Sequence, residues 1–174
     1  MSELTIAQWA VILVGLQRLA ELWLSHRNGK ALLEAGGHEI GRGHYPVMIA
    51  IHAAWLAAIF YLVPADAPVY WPLVAAYLLV QVGRVWVIRS LGPLWTTRVI
   101  EMPSIPLVRS GPYRWVKHPN YVVVALEVAL LPLIFGAWEI ALVFSAANLA
   151  IIAWRLRLEN ASIARRAHLV HEPK

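Results

Sequence analysis

The sequence predicts an all-α integral membrane protein: five transmembrane helices, the last two in a tight helical hairpin, with the N-terminus outside and the C-terminus cytosolic. Composition, the length of the apolar windows and the placement of the basic residues lead to it. Of the 174 residues, 60% are hydrophobic and 14% charged, and the mean hydropathy of +0.60 is far above that of a soluble domain. The chain has no Cys, which excludes disulfides, thiolate catalysis and Cys-ligated metals. No nucleic-acid partner is expected, because the net charge of +5 belongs to loops between apolar segments and not to a soluble basic domain.

The chain opens MSELTIAQ, with no Lys or Arg ahead of the first apolar run, so the first helix is expected to be retained and not cleaved as a signal peptide. A bilayer core takes about 20 apolar residues per helix. Leu4 to Leu24, Tyr45 to Val63 and Val69 to Ile88 each supply such a window. The next apolar run, Tyr121 to Trp154, is too long for one span and is interrupted at Phe135-Gly136-Ala137, so it divides into two shorter helices. Charge sets the orientation. All of the 15 Lys and Arg except Arg18 and Arg84 fall in the first loop, the third loop or the tail, while the turn PADAP and the hairpin tip carry none. The basic segments are therefore placed in the cytosol.

Arg18 and Arg84 lie inside predicted helices, as do Glu21, His52, Gln81, Glu127 and Asn148, all in the cytosolic half under this topology. An ionisable group in hydrocarbon costs about 2.5–3.5 kcal/mol on insertion scales, so such groups face one another or a watered cavity. Snorkelling and local pairing, such as Arg18 with Glu21 at i,i+3, account for any single one. The whole set on one side points to a polar pocket open to the cytosol.

Above that pocket the stretch SGPYRWVKHPNY runs straight into the fourth apolar helix. The residue before a proline avoids helical geometry and proline favours the first helical position, so His118 is the expected cap and Pro119 the first residue. The free amides of that helix start suit an anionic group such as a carboxylate. Tyr113, Trp115 and Tyr121 taken alone read as an interfacial aromatic belt. In WRLRLEN, Arg155 and Glu159 share a helical face at i,i+4, which by itself is a helix-stabilising pair. A short hairpin brings the end of the fifth helix back beside the start of the fourth, so the cationic-aromatic loop meets the Arg/Glu face.

These residues carry a resemblance. IPLVRSGPYRWVKHPNY (105–121), followed after the hairpin by RLRLEN, resembles the isoprenylcysteine carboxyl methyltransferase family, integral membrane enzymes that use S-adenosylmethionine. It extends over about residues 90–165, on the joint pattern G-x-Y-x-W-x-(R/K)-H-P-x-Y with a later R-x-x-x-E. The resemblance implies that Leu107, Val108, Tyr113, His118, Pro119, Asn120 and Tyr121 line the cofactor pocket, that Glu159 binds the cofactor's ammonium group or ribose, and that Arg155 lies near the substrate. Lys117 stands where the family usually has Arg, Ile105 where eukaryotic members have His, and Asn160 where many have a second Glu. Those departures leave the cofactor assignment intact and weaken the case for a prenylcysteine substrate.

QRLAELWLSHRN, GGHEIGRGHYPVMIAIH and LGPLWTTRVI resemble a bacterial branch associated with type III polyketide synthases, whose members methylate hydroxyls of long-chain alkylpyrones or alkylresorcinols. This implies an S-adenosylmethionine-dependent O-methyltransferase of the bacterial inner membrane, its site toward the cytosol and its lipophilic acceptor drawn from membrane lipid. Residues 1–174 then form one transmembrane domain, 1–88 as a three-helix acceptor side and 89–174 as cofactor-binding loop, hairpin and tail. Arg18, Arg84 and Glu127 are the substrate-binding candidates. A phenolic hydroxyl with a pKa near 10 needs help to lose its proton; Arg155 is the candidate to stabilise the oxyanion and His52 or His44 to take the proton, although a helical histidine is more often hydrogen-bonded structure. No metal is expected. The glycine pairs lie in a loop between helices and follow no strand, which excludes a soluble Rossmann-type methyltransferase. Carboxyl methylation of an isoprenylcysteine-like substrate stays open, and so do two other classes. Membrane sterol reductases share an HPNY hairpin and use NADPH, but commonly place Glu three residues after the Tyr, where this sequence has Val124. A small transporter or scaffold would need only the intramembrane charges.

Overall fold

The computed structural model describes residues 3–102, 105–106 and 108–171, with 162–171 described by backbone alone. Five α-helices form the body: α1 (Ile6–Glu34), α2 (His44–Leu62), α3 (Trp71–Leu91), α4 (Pro119–Leu133) and α5 (Trp138–His171). The first begins at a capping box, in which Thr5 Oγ1 accepts from Gln8 N and Gln8 Oε1 from Thr5 N. It runs on past the apolar window ending at Leu24, because HRNGKALLE interrupts the hydropathy without breaking the helix. Its inward stripe changes character along its length. Ala7, Val11 and Val14 are buried near the start, and Glu21, Ser25 and Asn28 are buried further on.

The outward faces are apolar. Leu13, Leu19 and Trp23 of α1 and Leu78, Leu79 and Val82 of α3 are exposed, Trp23 by 66%. An apolar exterior over a polar interior suits lipid as the solvent. Three helical segments are long and apolar enough to cross a membrane: His44–Leu62, Trp71–Leu94 and Trp138–Ala161. Five spans were expected; among the described residues there are five α-helices and three candidate spans. Charged residues lower the hydropathy of α1, and α4 has 15 residues, about 22 Å of helix against an apolar core of about 30 Å.

α4 and α5 make the expected hairpin. Its break falls at Gly136, whose φ of 70° is left-handed, and the turn closes with Gly136 N–H on Leu133 O and Ala137 N–H on Pro132 O, a Schellman-type stop. As expected, His118 caps α4 and Pro119 opens it. Trp55, Ile59, Tyr77, Val128 and Leu131 pack the core on the hairpin-tip side.

The all-α expectation misses one small feature. The loops after α1 and α3 pair as antiparallel two-residue strands, β1 (His38–Glu39) with β2 (Ile100–Glu101), in register His38↔Glu101 and Glu39↔Ile100. Residues 95–102 thus form a strap tied to the α1–α2 loop, and Ile40 N–H extends the pairing onto Val99 O at 2.9 Å.

Candidate functional site

The end of α3, the strap, the 3₁₀ turn Gly111–Arg114 and the first turn of α4 face α5 across a cleft of about 860 Å³, within the 300–1,000 Å³ typical of small-molecule sites. Of the cofactor candidates, Val108, Tyr113, His118, Asn120, Tyr121 and Glu159 line it, and so does Arg155. Pro119 is buried at the helix start and is absent from the described lining. Leu107 lies outside the described residues.

Tyr121 is the hub. Its hydroxyl donates to Glu159 Oε1 and accepts from Arg155 Nε at 3.1 Å. Its ring stacks on the His118 ring, centroids 5.6 Å apart at 26°, and Arg155 Cζ lies 5.4 Å from its centroid. His118 Nδ1 sits 3.1 Å from Glu159 Oε2. The i,i+4 pair read from RLRLEN is thus joined through a tyrosine of the neighbouring helix. Arg155 is 6% exposed; its Nη1 donates to Thr97 O at 2.8 Å and contacts Met48 Sδ at 2.9 Å. Its Nη2 has no hydrogen-bond partner among the described residues.

Burial holds the His118 pKa below its ordinary value, more strongly than Glu159 raises it, and Lys117 lowers it further. A neutral ring that donates Nδ1–H to Glu159 keeps the Nε2 lone pair as an acceptor. His118 Nε2 and Asn120 Oδ1 are buried without a partner among the described residues. Burial, with Glu159 nearby, pushes the Tyr113 pKa up, so that phenol stays neutral and able to donate. This end of the cleft therefore offers acceptors and aromatic faces to a ligand that brings donors and positive charge.

The remaining candidates lie elsewhere. Arg18, Arg84 and Glu127 converge, but on each other and on Glu21, Gln17 and Gln81. Arg84 Nε and Nη2 grip both oxygens of Glu21 at 2.5 and 2.7 Å while its Nη1 meets Glu127 Oε2 at 2.7 Å. Arg18 bridges Glu21 at 2.8 Å and Glu127 at 2.9 Å, and Gln81 donates to the other Glu127 oxygen at 2.8 Å. None of the three is in the described lining of the cleft. His52 donates Nδ1–H to Met48 O at 2.9 Å, which makes Nε2 its lone-pair nitrogen, and lies within range of the charges of Arg18, Glu127 and Arg155. His44 is buried, bonded through Nδ1 to Gly41 O and edge-on to Trp154 at 6.1 Å, with Nε2 unpartnered among the described residues. Neither histidine lines the cleft. Among the described residues no group of three His, Cys, Asp or Glu is placed to hold a metal ion.

Sequence reasoning passed over Ser25, Asn28, Met48 and Thr97. Ser25 Oγ lies 2.7 Å from Thr97 Oγ1 and accepts from Thr97 N at 2.8 Å. Asn28 Nδ2 donates to Trp95 O at 2.9 Å. The available signal was spacing, because Glu21, Ser25, Asn28 and Leu32 make one inward stripe at helical period.

The sequence model described as the isoprenylcysteine carboxyl methyltransferase (ICMT) family matches residues 73–165. Over 158 residues, 88% of this chain and 93% of the relative, the sequence is 36% identical to a protein of Bacillus subtilis (strain 168) described as "Uncharacterized protein YpbQ". No solved structure matches the chain.

Proposed function

Since the chain belongs to the isoprenylcysteine carboxyl methyltransferase family, we propose that this membrane methyltransferase binds S-adenosylmethionine in the cleft and moves its methyl group to an oxygen of a lipophilic acceptor. The acceptor proposed is the hydroxyl of a long-chain alkylpyrone or alkylresorcinol. The chain crosses a bacterial inner membrane five times, N-terminus outside and C-terminus cytosolic, with the cleft toward the cytosol. The observation that carries the reading is the connected set His118, Glu159, Tyr121 and Arg155, which joins both halves of the family pattern on one side of the cleft.

The residues present suit the cofactor. The Glu159 carboxylate, His118 Nε2 and Asn120 Oδ1 would accept hydrogen bonds from its ammonium, hydroxyl and amino groups, and the Tyr113 ring would face its cationic centre. When bound, S-adenosylmethionine supplies a methyl group on a sulfonium, ready for displacement by an oxygen nucleophile. Arg155 orients that nucleophile: its guanidinium is fixed on Tyr121 and Thr97, and Nη2 is left to hold an oxygen that carries negative charge. Alignment of acceptor oxygen and methyl group in the cleft would supply much of the rate. His52 is the proposed proton acceptor, one turn from Met48, which touches Arg155. His44 is the comparison residue.

The test is methyl transfer by the purified chain from labelled S-adenosylmethionine to alkylresorcinols, alkylpyrones and prenylcysteines. Label on a hydroxyl acceptor is expected. Label confined to prenylcysteine would move the reading to carboxyl methylation, and NADPH binding without S-adenosylmethionine binding would replace it with a reductase. A reporter fused after Lys174 should be cytosolic and one at Met1 external.

A further inference from the structure

Arg155 is held by two oxygens of unlike origin. Its Nε donates to the Tyr121 hydroxyl at 3.1 Å and its Nη1 to Thr97 O at 2.8 Å. Tyr121 stands in the first turn of α4, so that acceptor is as fixed as the helix. Thr97 belongs to no element: it lies in the strap between the 3₁₀ turn Gly92–Leu94 and β2. Ordering a rotamer-rich arginine on a carbonyl works only when the carbonyl is itself ordered. Ser25 of α1 does the ordering. It is 3% exposed, and its Oγ accepts Thr97 N–H at 2.8 Å while lying 2.7 Å from Thr97 Oγ1. Thr97 Oγ1 donates to the Tyr45 hydroxyl at 3.3 Å, which leaves it free to accept from the Ser25 hydroxyl. One serine thus takes two polar groups of Thr97, and the third, the carbonyl, goes to Arg155. The other α1 anchor differs: Asn28 Nδ2 holds Trp95 O and Gly92 O and makes no bond to Thr97. Ser25 is absent from the described lining of the cleft. It also lies outside the matched residues 73–165, whereas Thr97, Tyr121 and Arg155 lie within them.

We infer that Ser25 is a positioning residue for Arg155, acting through Thr97. The first helix thereby sets where the guanidinium stands, with a side chain that touches neither cofactor nor acceptor. The effect on turnover rests on the role proposed above for Arg155 in methyl transfer; the effect on the guanidinium does not. Loss of the Ser25 hydroxyl leaves Thr97 N–H without its acceptor and lets the strap carbonyl drift between Trp95 and Val99, the neighbours tied by Asn28 and by Ile40 N–H. Arg155 then keeps Tyr121 and loses a fixed second point.

The full chain in nanodiscs, labelled with ¹⁵N-arginine, tests this with Ser25→Ala. The guanidinium N–H signals of Arg155, identified by their absence from Arg155→Ala, should exchange with solvent about tenfold faster in the variant, the scale of one lost hydrogen bond. Turnover on an alkylresorcinol should fall by about the same factor, with S-adenosylmethionine affinity by calorimetry within about twofold of the unsubstituted chain. Added to Arg155→Ala, the serine substitution should change the residual rate by less than about twofold, because independent effects multiply and effects in one path do not. Thr97→Val, which keeps the strap backbone and loses the hydroxyl, gives the same reading should Ser25→Ala fail to fold. Unchanged exchange of the Arg155 signals in the folded variants overturns the inference. So does an equal slowing by Ser25→Ala with and without Arg155, and so does a parallel loss of S-adenosylmethionine affinity, which would mean that the whole strap had moved. If the unsubstituted chain transfers no methyl group, the methyltransferase reading falls and the Arg155 exchange alone decides the positioning.

Discussion

Two polar networks in this protein use the same residue types and differ in what they leave over. Between α1, α3 and α4, Arg18 and Arg84 face Glu21 and Glu127, and all four carboxylate oxygens accept hydrogen bonds from Arg or Gln. At the cleft, Arg155 and Glu159 share Tyr121, while His118 Nε2 and Asn120 Oδ1 have no partner among the described residues. The first set ties α1 to α3 and α4 with both carboxylates compensated in place and Arg18 Nε its one orphan among the described residues; the second leaves acceptors at the cleft for something else to meet. A buried polar group without a partner costs about 1–3 kcal/mol, so unspent capacity beside a cleft is a better sign of ligand binding than charge in a helix.

The contrast is broken most sharply through Glu127. Glu127→Ala removes the acceptor of Arg18 Nη2, Arg84 Nη1 and Gln81 Nε2, leaving both arginines on Glu21 alone, and removal of one partner from a buried ion pair costs about 3–5 kcal/mol. Thermal melting in detergent should show that loss, with S-adenosylmethionine affinity retained in the folded fraction; an unchanged melt would mean that the interior network does not hold the helices. Next in size, Arg155→Lys keeps the charge and loses the planar fork. Turnover should fall about a hundredfold, the scale of losing one donor to a developing oxyanion. Calorimetry beside turnover separates the roles, and an equal fall in S-adenosylmethionine affinity would erase the division between cofactor-holding and acceptor-orienting residues. Glu159→Ala should weaken S-adenosylmethionine about tenfold, since a bond to a charged group is worth about 1.5–3 kcal/mol, with little change in melting.

The smallest effect is on pH. Because burial sets the His118 pKa below its ordinary value, the ring is neutral at pH 7. Binding should be flat from pH 8 to 7 and decline a few-fold only as pH falls below about 6.5, where protonation turns Nε2 from acceptor to donor. The sign for stability is the same: the unfolded chain takes the proton more readily, so this contribution is present at higher pH and lost as pH falls through that window. A binding profile that rises toward low pH would reverse the assigned role of Nε2.

Much of this was legible in the sequence, and the limits have physical causes. Gly136 marked the hairpin and Pro119 the start of α4, because each acts on the backbone at its own position. Arg18 with Glu21 was local and readable. Arg84 is distant in sequence from both of its acids, and charge alone cannot say whether two arginines and two glutamates face water or each other. The helical reach to Glu34 was hidden because Arg27, Asn28 and Lys30 end an apolar window without opposing helix. Ser25, Asn28 and Thr97 are ordinary surface residues in composition, and only the strap's path reveals them as its anchors.

The shortness of α4 has a consequence for depth. Tyr70 N–H, at the start of α3, bonds to Ile134 O at the end of α4, so the two helices share one level at the hairpin tip. Counted from there, α4 is six residues shorter than the 21-residue α3, about 9 Å of rise. Under the topology proposed above, with Leu91 at the water boundary, His118 and Pro119 would stand that far below it, level with the glycerol and upper acyl carbons of the surrounding lipid. The turn Gly111–Arg114 covers the difference, with Trp115 lying edge-on to Trp86 of α3 at 5.6 Å. In that topology the lipophilic acceptor proposed above would meet the cleft at its own resting height.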